Sequence, residues 1–428
     1  MKKININNFE EKLYYEKLNN GLEVFIVPMK YKKNYHVMLG TKFGGKILTF
    51  EENNQKHRVP TGVAHFLEHK LFENEEKDPF AFFLESGTDV NAVTTYDYTA
   101  YYFNGNKNLS RNLKFLINWI SKFSITDEKV EKEKNIILEE SHMYNDNPTR
   151  SIYNKVYENS FISDSRKYKV IGSDEDIKRI TKNDLELCYN TFYNPSNMFL
   201  ILVGNINQEK TIKLIEEEYE NKKFKKIDVN IINEDEPDEV SKEYEEITLN
   251  IEIPKYAILY KINKNNFKDL NIDTYHLYYY LYMVLSLSFG ATSNFYEYCY
   301  MNKIVSNVSY QLNDTNSHYL IELYADTEDP GRIDKEIKEY VKNIKINKED
   351  FERLKKTWIS SEVKMIDSVS TTLYNIMGDI LDYGEFKNNK IDDIKSLDYE
   401  ELIEVLECIK FDKYSVVVAN PNKKGNDL

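Results

Sequence analysis

The sequence is poor in cysteine, in basic charge and in long apolar runs, and each shortage closes off a class of protein. Only three cysteines occur in 428 residues, Cys188, Cys299 and Cys408, far apart and with no CxxC among them. Three thiols cannot all pair within one chain, so a reducing compartment is the expected setting. Lys and Arg number 57 against 71 Asp and Glu, a formal net charge of −14. Phosphate contacts need clustered Lys and Arg, so this balance argues against a nucleic-acid partner. No run of eighteen apolar residues occurs and mean hydropathy is −0.61, so no transmembrane helix is expected. Met1-Lys2-Lys3 leads into polar residues through Glu11 without the apolar middle of a signal peptide, and the cytoplasm is the expected location. What is present is core-forming material. Hydrophobic residues at 41% and aromatics at 14% exclude a disordered chain, and the length suits two or three domains with sizeable cores.

The pattern along the chain is mixed α and β. Gly21 to Pro28 is a short apolar run between turn signals, a predicted strand, with Tyr35 to Leu39 as its neighbour. Pro60-Thr61-Gly62 introduces a predicted helix through Leu71, with Thr61 as candidate cap. Asp89 to Phe103 is β-branched and aromatic, hence a strand or hairpin. Helices are expected over Leu109 to Phe123 and Asp127 to Tyr144, a buried strand over Pro195 to Gly204, and a helix over Asn207 to Tyr219. Residues 226–245 form a charged stretch around a single proline, EDEPDEVSKEYE from Glu234 to Glu245, expected to bury little. They divide the expected domains 1–225 and 246–428. Beyond them come strands near Ile247 to Ile253 and Tyr256 to Lys261, an aromatic helix from Asp273 to Ser288, and a last strand over Phe411 to Val418. Strand pair, helix, helical stretch and closing strand thus occur once in each half, the pattern of a diverged duplication.

The strongest chemical signal is His65-Phe66-Leu67-Glu68-His69. The i, i+4 spacing sets two imidazoles one turn apart on one helical face, where both reach a single ion. Glu68 lies beside that face, placed to accept a proton from a metal-bound water, which is the order-inverted zinc motif H-x-x-E-H. Zinc hydrolases ordinarily take three protein ligands and leave the fourth position to water. Candidates for the third lie in Val130 to Glu140, where Glu133 and Glu140 are two helical turns apart and share a face, while Glu139 points away.

HFLEH, followed at 71 residues by the end of EKEKNIILEE, closely resembles the pitrilysin/insulinase family of inverzincin peptidases. Gly62-Val63-Ala64, Lys70-Leu71-Phe72-Glu73, Asn91-Ala92-x-Thr94 and NPSNMFLILVG extend the match across residues 15 to 220, nearest to the short bacterial members related to mitochondrial processing peptidase. The resemblance implies an α+β fold of two homologous αβ domains, antiparallel-rich sheets packed with helices, one half active and the other metal-free. It implies His65, His69 and Glu140 as ligands of one Zn2+ per chain, Glu68 as general base, and Glu133 as the carboxylate that orients the site. Asp89 to Thr94 resembles the family's substrate-edge strand, where an extended peptide adds through its backbone. Asn91 and Ala92 are the expected contacts.

The second half departs from the family pattern. Where active members carry an Arg and, seven residues on, a Tyr, this chain has Tyr300 and Asn307. Either Tyr310 or Lys303 substitutes, or a partner subunit supplies the contact, so a dimer is expected, with a related metal-free chain as one form of it. His36, His57, His142, His276 and His318 read as structural, and Tyr275 to Tyr282 as helix core. The expected function is a zinc-dependent endopeptidase acting on peptides or small unfolded segments. The alternatives are a catalytically weak or structural subunit of a heterodimeric peptidase and a leader-peptide maturation protease for a ribosomally made peptide.

Overall fold

In the computed structural model, residues 1–7, 9–73, 78–225 and 227–422 are described. The first residue of the charged stretch 226–245 and the last six of the expected second domain lie outside that set. The chain forms two compact units, and both are discontinuous. The first comprises residues 1–141, 169–233 and 361–392; the second comprises 142–168, 234–360 and 393–428. Each half of the chain therefore lends one helical segment to the other unit, which a single linear cut does not describe.

The first unit contains β1 (Lys2–Asn5), β2 (Lys12–Lys17), β3 (Glu23–Pro28), β4 (Tyr35–Thr41), β5 (Thr49–Glu52), β6 (Gln55–Arg58), β7 (Asp89–Thr94), β8 (Thr99–Gly105), β9 (Met198–Gly204) and β10 (Val229–Ile231). Seven of them make one sheet in the order β1-β2-β3-β9-β4-β8-β7. It is antiparallel except at β3 and β9, where Val24 pairs with Leu200 in parallel register. MFLILVG suits the centre of that sheet because every residue of β9 is buried, as strands covered on both faces require. β10, β5 and β6 form a small second sheet. Helices α1 (Val63–Phe72), α2 (Pro79–Leu84), α3 (Leu109–Ile120) and α4 (Asp127–Asn145) follow the strands that precede them. Helix Val369–Tyr383, lent by the other half, buries Leu373, Ile376 and Ile380 against Phe25, Met38 and Ile201 of the main sheet.

The second unit holds β11 (Tyr244–Leu249), β12 (Lys255–Asn263), β13 (Asn307–Asp314), β14 (His318–Asp326) and β15 (Tyr414–Pro421), in the order β11-β15-β12-β14-β13. Numbered from β3 in the first sheet and from β11 in the second, both run first-fifth-second-fourth-third. Both also have their single parallel pair between first and fifth. The repeated pattern in the sequence thus has its counterpart in a repeated topology. Helix Thr274–Phe289 closes one face with Leu277, Leu281 and Val284 in the core, and helix Pro148–Ser160 lies on β12 and β15.

Two expectations change here. The strand expected at Ile247 to Ile253 runs from Tyr244 to Leu249. It is an edge strand with one ladder, and edges tolerate charges such as Glu245 and Glu246. The charged stretch also buries more than its composition suggests. Glu236 pairs with Lys261 at 2.5 Å with side chains 2% and 0% exposed, and it accepts from the backbone N–H groups of Ile162, Ser163 and Asp164. A fully partnered ion can enter a core that an unpaired one cannot.

Candidate active site

The site is built on the start of α1, and two facing glycines let it begin where it does. Gly62 has φ +88° and Gly172 φ +93°; a Cβ on Gly62 would lie 2.4 Å from the Ile171 carbonyl oxygen, and one on Gly172 2.6 Å from that of Thr61. Only glycine accepts both the left-handed backbone and the close approach. Gly62, not Thr61, occupies the cap position, without a side-chain cap bond. Thr61 instead donates its hydroxyl to Asp176 Oδ2 at 2.6 Å and accepts from the Ser173 N–H, tying the approach to α1 to the segment around Gly172. At the far end, the Trp119 indole N–H donates to the Leu71 carbonyl oxygen, one of the acceptors a helix end leaves open.

On α1, Val63, Phe66 and Leu67 face the core while His65 and His69 sit one turn apart, ring centroids 4.7 Å from each other. Helix α4 brings the carboxylates. Its inward stripe is Val130, Glu133, Lys134, Ile137 and Ser141, and Glu140 is half-buried while Glu139 is exposed, as the helical spacing predicts. One ligand atom each from His65, His69 and Glu140 fall within 4.8 Å of one another. His69 Nε2 lies 3.2 Å, and His65 Nε2 3.8 Å, from Glu140 Oε2. Two imidazole nitrogens and one carboxylate oxygen, brought this close together, are a donor set that suits zinc.

The surroundings are polarised to match. His69 Nδ1 meets Glu133 Oε1 at 3.0 Å. With that nitrogen donating, Nε2 keeps its lone pair for an ion. Burial pushes the His69 pKa down, but hydrogen bonds to Glu133 and Glu140 outweigh it and carry it up to about 9. The two carboxylates that hold a proton there also favour a cation. Burial pushes the Glu133 carboxyl up, and His69 together with Lys70 outweighs it, bringing it down to about 2. Glu68 behaves in the opposite way. Burial raises its pKa against the pull of the Thr94 hydroxyl, which donates to Glu68 Oε2 at 2.5 Å. Beneath lies the buried pair Tyr101 and Tyr193, hydroxyls 3.0 Å apart.

Asn91 and Ala92 lie on β7, the edge strand of the main sheet, which packs against α1 and α2. Asn91 is exposed, Ala92 is half-buried, and the Ala92 N–H donates to Asn91 Oδ1 at 2.8 Å. An edge of this kind can accept a further strand. Two neighbours of the metal set, Thr94 and Lys70, lay in the matched motifs of the sequence without a role at the site. Lys70 carried a signal: with Val63, Phe66 and Leu67 it completes the i, i+3, i+4, i+7 stripe that a helix turns to its core. In the second unit, Tyr300 is 56% exposed on helix Asn294–Met301, Asn307 opens the edge strand β13, and the Tyr310 ring packs tilted against Tyr282. His276 and His318 pair with Asp273 and Asp238.

Comparison with known proteins places the chain as a whole in a family. Residues 53–174 match the model of Insulinase (Peptidase family M16), and residues 179–357 match that of the Peptidase M16 inactive domain. The uncharacterized zinc protease YmfH of Bacillus subtilis is 34% identical over 344 residues, 79% of this chain and 79% of its own length. The mitochondrial-processing peptidase subunit beta of Dictyostelium discoideum is 23% identical over 44% of this chain and 40% of its own. The crystal structure of an M16-like peptidase from Alicyclobacillus acidocaldarius superposes with a TM-score of 0.91 at 27% identity, covering 97% of this chain and 99% of that one. The chain belongs to the insulinase family of peptidases, family M16.

Proposed function

We propose that the chain is a zinc-dependent endopeptidase, with one zinc, that cleaves peptides or small unfolded segments. The observation that carries this reading is the convergence of His65, His69 and Glu140 beside a buried carboxylate, Glu68, held by Thr94. A zinc ion bound by those three side chains would acidify a water molecule and polarise a peptide carbonyl. Glu68 takes the proton of the attacking water and returns it to the leaving amine. Glu133 keeps His69 in the tautomer and orientation that ligation needs. A substrate adding to the β7 edge at Asn91 and Ala92 binds through its backbone, which selects for extended chain and little for side-chain identity.

The missing positive charge at Tyr300 and Asn307 favours a second chain in the working enzyme, and one relative is itself named as a subunit. We place that partner as a related, metal-free chain and the enzyme in the cytoplasm. Among the described residues no helix is long and apolar enough to cross a membrane. The test is incubation of the purified protein with a mixed peptide pool, with and without chelator, and product identification by mass spectrometry. Internal cleavages abolished by chelator and restored by zinc support the reading, and an unchanged pool in the presence of zinc and partner contradicts it. Size measured across a concentration series, with activity in parallel, tests the dimer. A monomer with full turnover contradicts it.

A further inference from the structure

Lys70 is a lysine where the helix calls for an apolar residue. Its side chain is 2% exposed, on the stripe of α1 that buries Val63, Phe66 and Leu67. Removing an ammonium from water costs several kcal/mol unless its partners repay it, and a methionine of similar length would fill the space without that cost. The partners are specific. Lys70 Nζ lies 2.8 Å from Glu133 Oε2 and 3.4 Å from the Lys129 carbonyl oxygen, and it pairs with the Glu73 carboxylate. The other oxygen of Glu133 belongs to His69 Nδ1, at 3.0 Å. One carboxylate is thus fixed at both ends, by a metal-site imidazole and by a buried cation.

We propose that Lys70 is a positioning residue of the metal centre, acting on His69 through Glu133. A glutamate side chain has three rotatable bonds, and a single hydrogen bond to His69 leaves its plane free to swing. Lys70 fixes the second oxygen, so the carboxylate presents Oε1 to the imidazole in one orientation. It also balances the Glu133 charge, which lets a buried carboxylate serve a ligand without a second uncompensated ion near the centre. The chain His69, Glu133, Lys70 and Glu73 alternates in charge character and runs outward from the site. The proposal rests on the zinc reading above and assigns it an outer support.

The test is a double-mutant cycle on zinc affinity, measured by competition with a chelating indicator on wild type, Lys70→Met, Glu133→Gln and the double variant. Outer supports of this kind contribute on the order of 10–100-fold in metal affinity. Lys70→Met is expected to weaken zinc by that factor in the wild-type background and by no more than about twofold in the Glu133→Gln background, because its route to the metal is already cut. An equal factor in both backgrounds overturns the proposal, since a merely structural role would weaken both alike. Melting of the metal-free proteins checks that each is folded. Should Lys70→Met fail to fold, Lys70→Leu, which also lacks a donor, is carried through the same cycle, and wild-type zinc affinity in that variant overturns the proposal equally. A wild-type protein that binds no zinc rejects the zinc reading itself, an outcome distinct from a flat cycle.

Discussion

The two units share a strand order and spend their buried charge differently. In the first, polar groups around α1 converge: His65, His69 and Glu140 aim at one point, with Glu68, Glu133 and Lys70 arranged around them. In the second, the buried groups Lys261, His318 and Glu322 are each partnered locally. Lys261 pairs with Glu236, His318 with Asp238, and Glu322, fully buried, accepts from Tyr157, Asn313 and Tyr324. The helix between the second and third strands, which carries HFLEH in the first unit, reads TYHLYYYLYMVLSLSF in the second and buries Leu281, Val284 and Leu285. Topology therefore sets where a site can stand, and the residues on one helix decide whether it does.

If this division holds, substitutions on the two sides fail in different ways. Glu68→Gln keeps size but removes proton uptake, and peptide cleavage should fall on the order of 10² to 10⁴-fold with zinc retained. Normal cleavage by that variant would remove Glu68 from the mechanism. Lys261→Met in the second unit leaves Glu236 buried without its cation, and stability should drop by about 3–5 kcal/mol while zinc content is unchanged. Denaturant unfolding alongside elemental analysis checks both halves of that statement, and loss of zinc would erase the division. Thr94→Val removes one hydrogen bond to a carboxylate, worth about 1.5–3 kcal/mol. Turnover should fall roughly tenfold or more, yet less than in Glu68→Gln, as steady-state rates at saturating zinc would show.

The smallest effect is one of pH. Burial pushes the Glu236 carboxyl up, but hydrogen bonds from Lys261 and from the backbone of Ile162, Asp164 and Ser163 hold it below the ordinary value of 4.5. Its folded-state pKa is thus lower than its unfolded one, so its contribution is complete above 4.5 and is lost as pH falls from there through the folded value. Unfolding curves should lose stability over that interval, and Lys261→Met should lose less there because one source of the depression is gone. An equal acid loss in both proteins would show that Lys261 does not hold that carboxyl down.

Much of this was legible in the sequence, for reasons that also mark what was not. Helical period and the i, i+4 histidines place α1 and its ligand face, the seven-residue spacing turns Glu133 and Glu140 inward together, and the unbroken apolar run of β9 marks a central strand. Periodicity says which face a helix buries but not which sheet it covers, so the exchange of residues 142–168 and 361–392 between the units left no local trace. Composition likewise treats EDEPDEV as solvated, because the cation and three N–H groups that admit Glu236 to the core lie elsewhere in the chain. Thr61 had the right type and place for a cap, and was claimed by Asp176, 115 residues away.

Counting metal in each protein tests the division between the units most directly. Wild-type chain and the variants His65→Ala, His69→Ala and Glu140→Gln would be purified without chelators, equilibrated with zinc, desalted and analysed for zinc per chain. One zinc in the wild type and its loss in the histidine variants, with weakened retention in Glu140→Gln, is the result this account predicts. Two zinc ions per chain, none, or one that survives removal of either histidine would contradict it.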